Sequence, residues 1–232
     1  MTLDNIDLES LYAYPPHDGV WVRTNFVTTL DGAAQDRSGL TSQLGGDDDT
    51  RVFALLRSLA DVIVVGATTA RTEGYEPVKP DEIDGDLRTR LGLRELPPIA
   101  VASNSLKIPQ ALLGPGQIVI THDSAPLGRL APGGADVITA GSSQVDWPTA
   151  LAALYERGHR RILCEGGPTL HGCLVAADLV DELCLTIAPV LAGGGAPRIA
   201  HAMSPAYHPM RLAHSHQAGD VLLTRWLRRR AD

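Results

Sequence analysis

At 232 residues, with 44% hydrophobic and 20% charged residues, the chain has the composition of a folded globular domain. Its formal net charge of −7 argues against a nucleic-acid-binding surface, because such surfaces neutralise phosphates with clustered arginine and lysine. The acidic, polar segment 1–18 does not resemble a signal peptide, and no segment has the roughly 20 apolar residues that cross a bilayer. We therefore expect a cytoplasmic protein with neither nucleic acid nor membrane as a partner.

The cysteines and histidines predict no metal site and no disulfide framework. The three cysteines are Cys164, Cys173 and Cys184. Their spacing lacks the close ligand pairs of a zinc site, and their apolar surroundings predict small buried core residues. Four histidines lie late in the chain: His201, His208, His214 and His216. No acidic or cysteine residue at a fitting spacing accompanies them, which favours solvated loop histidines.

The first part of the chain alternates strands with helices. The β-branched run Val22–Thr28 predicts a strand, and a polar, glycine-rich loop follows it. Residues 47–49 are three aspartates, which favour the start of a helix because of its exposed amides and dipole. That helix is expected through Leu59, with apolar residues at helical spacing. The continuously apolar segment 61–66 predicts a strand that is buried on both faces of a parallel sheet.

The same alternation continues to the end of the chain. Further strands are predicted at 98–103, 117–121, 136–139, 161–164, 183–188 and 221–227. Helices are predicted at 147–158 and from Pro168 to about Ala177. The charged segment 73–97 is expected to be an exposed loop, and the histidine- and proline-rich stretch after Gly195 to be irregular.

This pattern predicts one α/β domain over residues 1–232, with an N-terminal extension at 1–20. A largely parallel sheet with helices on both faces is the natural architecture for strands that alternate with helices. Ligands of such sheets bind at the carboxyl ends of the strands.

The most informative motif is Glu165-Gly166-Gly167-Pro168-Thr169-Leu170, which joins a predicted strand to a helix. Two glycines let a ligand approach the backbone closely, and the amides that open the helix favour a pyrophosphate. Pro168 suits the first helical turn because its missing N–H would be unpaired there. A tight turn without a ligand is the alternative, and the spacing is not that of the dinucleotide fingerprint.

Two weaker motifs end other strands. Gly66-Ala67-Thr68-Thr69-Ala70-Arg71 again joins a buried strand to a helix, so the two turns together could clamp the phosphates of a dinucleotide. Thr28-Thr29-Leu30-Asp31-Gly32 ends the first strand, and a simple turn of the kind that Asp-Gly favours explains it equally well.

Taken in order over about residues 20–227, these motifs resemble the reductase of bacterial riboflavin biosynthesis, 5-amino-6-(5-phosphoribosylamino)uracil reductase. The Asp181-Glu182-Leu183 and Ala188-Pro189 segments add to the match. The resemblance implies a dihydrofolate-reductase-like fold, a three-layer α/β sandwich with a mostly parallel mixed central sheet. It also implies a homodimer that uses NADPH to reduce the ribosyl group of a phosphorylated aminopyrimidine to a ribityl chain.

The resemblance implies roles for particular residues of this chain. The positions implied to contact the cofactor are Val27, Gly66, Thr69, Ser103, Gly166, Gly167, Pro168, Thr169 and Leu170, continuing to Cys173. The positions implied to contact the substrate are Thr41, Arg57, Lys79 and Glu165, and Lys79 stands where the family has an arginine. We expect Glu165 to orient the substrate, with Thr29 and Asp31 shaping the catalytic pocket. Ser103, with Lys107 nearby, would recognise the 2′-phosphate of NADPH.

The chain departs from the family pattern mainly on the substrate side. Asn25 stands where family members often carry lysine, and Gln43 where a tryptophan is common. Glu73-Gly74-Tyr75 replaces the usual Asp-Asp-Pro. NADPH binding is therefore the firmer implication, and the identity of the substrate the weaker one.

Two other functions fit the sequence. The chain could be a reductase of dihydrofolate or another pterin-like ring on the same scaffold, or a non-catalytic nucleotide-binding protein. Arg57 and Lys79 discriminate between the substrates, because a phosphorylated substrate needs these cations and an uncharged pterin does not. Glu165 argues against a protein without catalysis.

Overall fold

A nine-stranded sheet forms the centre of the part of the chain that the computed structural model describes, namely Leu3 and residues 6–41, 44–130, 133–202 and 205–230. The strands are β1 (Trp21–Thr28), β2 (Val62–Gly66), β3 (Ile99–Ala102), β4 (Ile118–Thr121), β5 (Asp136–Thr139), β6 (Arg161–Cys164), β7 (Glu182–Ile187), β8 (Met210–Ala218) and β9 (Val221–Arg228). Their spatial order is β5-β4-β3-β2-β6-β1-β7-β9-β8.

Seven neighbouring strands, β5 to β7 in that order, pair in parallel, and β9 pairs antiparallel with β7 and β8. The predicted three-layer α/β sandwich with a mostly parallel mixed sheet is therefore confirmed. The parallel part is made by the apolar runs of the sequence, because strands covered by helices on both faces need no polar face.

Helices cover both faces of the sheet. They are α1 (Leu8–Tyr12), α2 (Gly46–Leu59), α3 (Ala67–Thr72), α4 (Gly85–Arg90), α5 (Trp147–Glu156) and α6 (Pro168–Ala176). Successive side chains of β2 point to opposite faces of the sheet, so the strand contributes to two separate core clusters. Ile63 and Val65 pack with α1 to α4, whereas Val62 and Val64 pack with α5 and α6. In the described ranges, no helix is long and apolar enough to cross a membrane.

The segment 73–97 is not simply an exposed loop, as the sequence suggested, because it contains α4. Asp84 caps this helix by accepting a hydrogen bond from the backbone N–H of Leu87 at 2.8 Å. Arg88, only 1% exposed, donates to the carbonyls of Arg57, Ser58 and Ala60. Helix α4 was not predicted because its charged sequence suggested exposure to water. The guanidinium of Arg88 is instead buried, and it donates to the last carbonyls of α2.

The histidine-rich stretch is also more regular than predicted, since β8 forms the edge of the sheet next to β9. Most of its side chains are exposed or half-buried, so the sequence lacks the apolar alternation of a covered strand. His214 and His216 lie on this strand rather than in a solvated loop, and the His214 ring contacts Tyr12 edge-on at 4.8 Å.

One of the three predicted core cysteines is placed differently by the structure. Cys164 and Cys184 are buried, but Cys173 is exposed on α6. The prediction was wrong there because apolar neighbours in the sequence do not fix which side of a helix a residue occupies.

A buried charge cluster fastens the N-terminal segment to the sheet. Glu182 on β7 is fully buried and lies 2.7 Å from the Nε atoms of both Arg23 and Arg225. The guanidinium groups also donate to the carbonyls of Leu11, Tyr12 and Ala13. Burial alone would raise the pKa of Glu182, but the two arginines lower it overall.

We predict that Glu182→Gln lowers the free energy of unfolding by about 3–5 kcal/mol, because it leaves two buried guanidinium groups without a counter-charge. The exposed Glu95→Gln is the control and changes stability by less than about 0.5 kcal/mol. Urea denaturation of both variants measures this. The lowered pKa means that the contribution of Glu182 is present at neutral pH and is lost as pH falls, so the wild-type advantage shrinks in acid. Equal stability of both variants at neutral pH would contradict the role of the cluster.

Candidate active site

The turn after β6 lies beside the end of β2, where the sequence predicted a ligand site. The backbone N–H of Glu165 donates to the Val64 carbonyl at 3.0 Å, and that of Gly66 donates to the Gly166 carbonyl at 2.6 Å. Helix α6 begins immediately afterwards at Pro168, with Gly167 as its N-cap. The two glycine turns predicted to act together are therefore hydrogen-bonded neighbours.

A first cavity of about 600 Å³ opens at this edge of the sheet. Its walls come from the end of β1, one face of α2, the start of α3, the segment 73–82 and the turn after β6. Glu165, which is 8% exposed, lies in its wall.

A second cavity of about 890 Å³ lies on the other side of the α3 and α6 N-termini. It runs between the loop after β3, with Ser103, and the loop at 141–147. Thr68, Thr69, Gly167 and Pro168 line both cavities, so the two meet at these residues. The result is an elongated site that passes directly over the two helix N-termini.

A buried ion pair organises the first cavity. The Nε and Nη2 atoms of Arg57 each donate to a carboxylate oxygen of Glu165 at 2.8 Å. The Tyr75 hydroxyl donates to Glu165 Oε2 at 2.7 Å. Burial alone would lower the pKa of Arg57, but the charge of Glu165 raises it overall. Burial, followed by the charge of Glu165, raises the pKa of Tyr75 well above its ordinary value, so this hydroxyl remains a donor.

Lys79 and Thr41, which also line the first cavity, contact acidic side chains as well. Lys79 pairs with Glu76 at 2.8 Å, and both side chains are more than half exposed. Glu73 accepts from the backbone N–H and the hydroxyl of Thr41 at 3.2 and 3.3 Å. The described lining carries two cations against five carboxylates, which are Asp49, Glu73, Glu76, Glu82 and Glu165. The first cavity is therefore acidic.

Most of the predicted site residues are brought together by the fold. The first cavity is lined by Val27, Thr41, Arg57, Lys79 and Glu165, together with Asn25. The second is lined by Gly66, Ser103, Thr169, Leu170 and Cys173. Gly166 lies behind them in the turn, and Gln43 is outside the described residues.

Thr29 and Asp31 are not among the residues that line either cavity. The Thr29 hydroxyl donates to Asp31 at 2.5 Å, and the backbone N–H groups of Ala192 and Gly193 donate to the same carboxylate. These bonds, led by that of Thr29, lower the pKa of Asp31 to about 2. The pair thus ties the turn after β1 to the loop that follows β7, and its catalytic role stays a prediction.

Three residues of the site were not identified from the sequence. Tyr75 was noted only as a departure from a motif, yet it contacts Glu165. Asp49 was assigned to the start of a helix, yet it lines the first cavity. Arg71, rather than Lys107, supplies a positive charge to the described lining of the second cavity. The position of Arg71 just after the second glycine turn was the available signal.

Phe26 and His171 support the turn from behind. Their rings stack at 4.5 Å, and His171 Nδ1 lies 2.9 Å from the Ile199 carbonyl. Burial lowers the pKa of His171 to about 4, so the ring is neutral at physiological pH. A Cβ atom at Gly166 would lie 2.9 Å from the Phe26 ring.

Comparison with known proteins gives consistent matches. The model of the RibD C-terminal domain family matches residues 20–224. A 2,5-diamino-6-ribosylamino-4(3H)-pyrimidinone 5′-phosphate reductase from Methanothermobacter thermautotrophicus is 30% identical over 181 residues, 75% of this chain and 80% of the relative. The reductase of the same name from Archaeoglobus fulgidus is 28% identical, over 75% and 82%. A pyrimidine reductase-like protein from Corynebacterium diphtheriae superposes with a TM-score of 0.85 at 26% identity, covering 97% of this chain and 99% of the other.

We predict that Gly166→Ala lowers the free energy of unfolding by about 1–3 kcal/mol, because Gly166 has a φ of +86° and its Cβ would meet Phe26. Gly85→Ala is the matched control, since a Cβ there meets nothing within 4 Å and its φ is not in the left-handed region. Thermal and urea unfolding compare the two. A Gly166→Ala protein as stable as the Gly85→Ala protein would contradict this account of the turn.

Proposed function

Since the chain belongs to the RibD C-terminal domain family, we propose that it is an NADPH-dependent reductase of a phosphorylated ribosylaminopyrimidine, converting the ribosyl group to a ribityl chain. The observation that carries the proposal is the pair of cavities that meet over the N-termini of α3 and α6. One cavity can take the reacting end of a dinucleotide together with a substrate, and the other its adenosine end.

The residues where the cavities meet fit a pyrophosphate. Helix α6 presents its unpaired first amides there, and helix N-termini favour anions. A Cβ atom at Gly167 would lie 2.3 Å from the Thr69 hydroxyl, so only glycine leaves this surface open. Thr69 and Gly167 then contact the pyrophosphate, and Val27 faces the reacting ring in the first cavity. When bound, the cofactor supplies the hydride.

Arg71 and Ser103 in the second cavity are the residues we assign to the 2′-phosphate of NADPH. The Ser103 hydroxyl accepts a hydrogen bond from the backbone N–H of Leu106, which fixes the loop after β3. Arg71 is exposed and donates to the Thr68 hydroxyl and to the Lys107 carbonyl. An exposed guanidinium at this position can bind a phosphate with two parallel hydrogen bonds.

On the substrate side, Glu165 is held in one orientation by Arg57 and Tyr75. A carboxylate fixed in this way accepts hydrogen bonds from the amino and ring N–H groups of an aminopyrimidine. It therefore contributes by positioning the substrate against the cofactor, a contribution that depends strongly on geometry. Thr41 and Lys79 lie farther along the first cavity, where the ribosyl phosphate would extend.

The charge of the first cavity favours a second candidate, a reductase of an uncharged pterin-like ring. Both cations that a phosphate would use already face carboxylates: Arg57 faces Glu165, and Lys79 faces Glu76. A substrate phosphate must compete with these carboxylates for the two cations, whereas a neutral ring need not. The two candidate functions use the same cofactor and the same site. They differ in whether Lys79 contributes to substrate binding, which only a phosphorylated substrate requires.

We further propose a homodimer located in the cytoplasm. Exposed apolar side chains support self-association: Leu30 is 61% exposed and Leu191 is 76% exposed. These residues are close together because the Leu30 backbone N–H donates to the carbonyl of Val190 at 2.8 Å. An apolar patch of this kind favours burial against a second copy of the chain.

The function is tested by NADPH oxidation with three substrates: the diaminopyrimidinone ribosyl phosphate, its deaminated form and a dihydropterin. We expect turnover with one of the two phosphates, and a loss of about 100-fold in kcat/KM in Glu165→Gln because the substrate is no longer oriented. Lys79→Ala raises KM for the phosphate alone, and Glu95→Gln is the control. Turnover with the dihydropterin only would favour the second candidate, and NADPH binding without any turnover would exclude both.

Cofactor selection gives a separate prediction. Arg71→Ala raises KM for NADPH by about 10-fold or more and leaves KM for NADH unchanged, because only NADPH carries the 2′-phosphate. Arg90→Ala is the control, since Arg90 pairs with Glu9 and is not among the residues lining either cavity. If Arg71→Ala changed KM for NADPH and KM for NADH equally, Arg71 would not be the residue that binds the 2′-phosphate.

A further inference from the structure

Asp49 lines the first cavity, and its place at the start of a helix does not by itself explain that position. It is one of three successive aspartates in the first turn of α2, where acidic residues stabilise the helix dipole. Asp47 is exposed, and neither Asp47 nor Asp48 is among the residues lining the cavity. Only Asp49 of the three, which is partly buried, lines the cavity, as do Asn25 and Phe53.

The Asp49 carboxyl group is fixed from two sides. The Thr186 hydroxyl on β7 donates a short hydrogen bond to its Oδ1. On the other side it packs on the backbone of Gly45, where a Cβ atom would lie 2.0 Å from Oδ2. A strand on one side and a glycine on the other therefore set the direction of this carboxyl group.

The surroundings of Asp49 make it easier to protonate than an ordinary aspartate. In the described ranges, no arginine or lysine forms an ion pair with it, and burial raises its pKa against the opposing effect of Thr186. Asn25, which lines the same cavity, is neutral. Tyr12 of α1 also faces it, and burial raises the pKa of that phenol, so Tyr12 stays uncharged. Arg57, farther along the same helix, is engaged by Glu165.

Glu165 is poorly suited to giving a proton. Its two oxygens accept hydrogen bonds from Arg57, and one of them also accepts from Tyr75. Asp49 and Glu165, two of the five acidic groups of the cavity, thus differ in their contacts: Glu165 is bound to a guanidinium, whereas Asp49 is bound to a neutral hydroxyl. Paired carboxyl groups in different environments commonly divide the positioning and proton-transfer roles of an active site.

We propose that Asp49 is the proton donor for the reduction of a C=N bond held in the first cavity, which the ribosylamine presents when its sugar ring opens to the isomeric imine, a role that rests on the proposed reductase function. Hydride adds to the carbon of the C=N bond, and the π electron pair moves to nitrogen. A new N–H bond forms with the proton of Asp49, which becomes a carboxylate and regains a proton from water. The product is a saturated amine, and the cofactor leaves oxidised.

The test compares Asp49→Asn with Asp48→Asn, a neighbour of the same charge in the same helical turn. Asparagine keeps the size of the side chain and can still accept from Thr186, but it has no acidic proton. We expect kcat/KM to fall about 100-fold or more in Asp49→Asn and to stay unchanged in Asp48→Asn. The wild-type kcat/KM falls as pH rises through the pKa of Asp49, and Asp49→Asn lacks this decline.

Two readouts do not depend on turnover. A carboxyl NMR titration of the cofactor-free protein shows two aspartates with a raised pKa, Asp49 and Asp181, and only the titration of Asp49 is missing in Asp49→Asn. The melting temperature of Asp49→Asn equals or exceeds that of the wild type, because a carboxyl group that is costly to ionise has been removed. A purely structural Asp49 would instead lower it.

The outcomes separate the two proposals. Two outcomes overturn the role of Asp49 and leave the proposed function standing, provided that the wild type turns over substrate. In the first, Asp49→Asn keeps the wild-type pH profile; in the second, it loses activity only because it loses stability. Absence of wild-type turnover with every substrate overturns the proposed function and this role together. Loss of both activity and the pH-dependent decline, in a protein of unchanged stability, supports the assignment.

Discussion

The ion pair between Arg57 and Glu165 is the interaction on which the site depends. It joins the last turn of α2 to the turn after β6, and Tyr75 and Glu82 join the segment 73–82 to the same pair. A buried pair of this kind offsets its desolvation only when its hydrogen bonds are complete. Here the two carboxylate oxygens and three guanidinium nitrogens are engaged, so the wall of the first cavity is fixed before any ligand arrives.

The backbone of the same arginine links the site to the rest of the fold. The Arg57 carbonyl accepts from Arg88, whose guanidinium also satisfies two further carbonyls at the end of α2. The C-terminal end of α2 thus forms part of the cavity wall and also holds α4 through Arg88. This arrangement explains why a charged surface-like sequence at 73–97 folds against the core.

The two cavities differ in how closely they follow the expected pattern. Where they meet, glycine, threonine and helix amides form a surface that suits a dinucleotide without any change. The first cavity is acidic, with Asn25 in place of a family lysine and Tyr75 in place of a proline. Acidic groups therefore dominate the lining of the first cavity, and Asp49 and Glu165 differ in their hydrogen-bond partners.

Much of this organisation could be predicted from the sequence, because buried parallel strands and glycine turns are local signals. The strands around Val64 and Ile162 and the turn at 165–167 were assigned correctly for that reason. Helix α4 and strand β8 were missed because their evidence is non-local: Arg88 is buried only by the end of α2, and β8 exists by pairing with β9. The place of Asp49 in the first turn of α2 was predicted correctly, but its position in the cavity wall was not, because a helix start and a cavity wall favour the same residue type.

A crystal structure with NADP⁺ would show whether one dinucleotide spans both cavities across the α3 and α6 N-termini. We expect the pyrophosphate at Thr69 and Gly167, the 2′-phosphate at Arg71, and the nicotinamide in the first cavity near Glu165 and Asp49. A cofactor bound elsewhere, or a nicotinamide pointing away from the first cavity, would contradict this expectation.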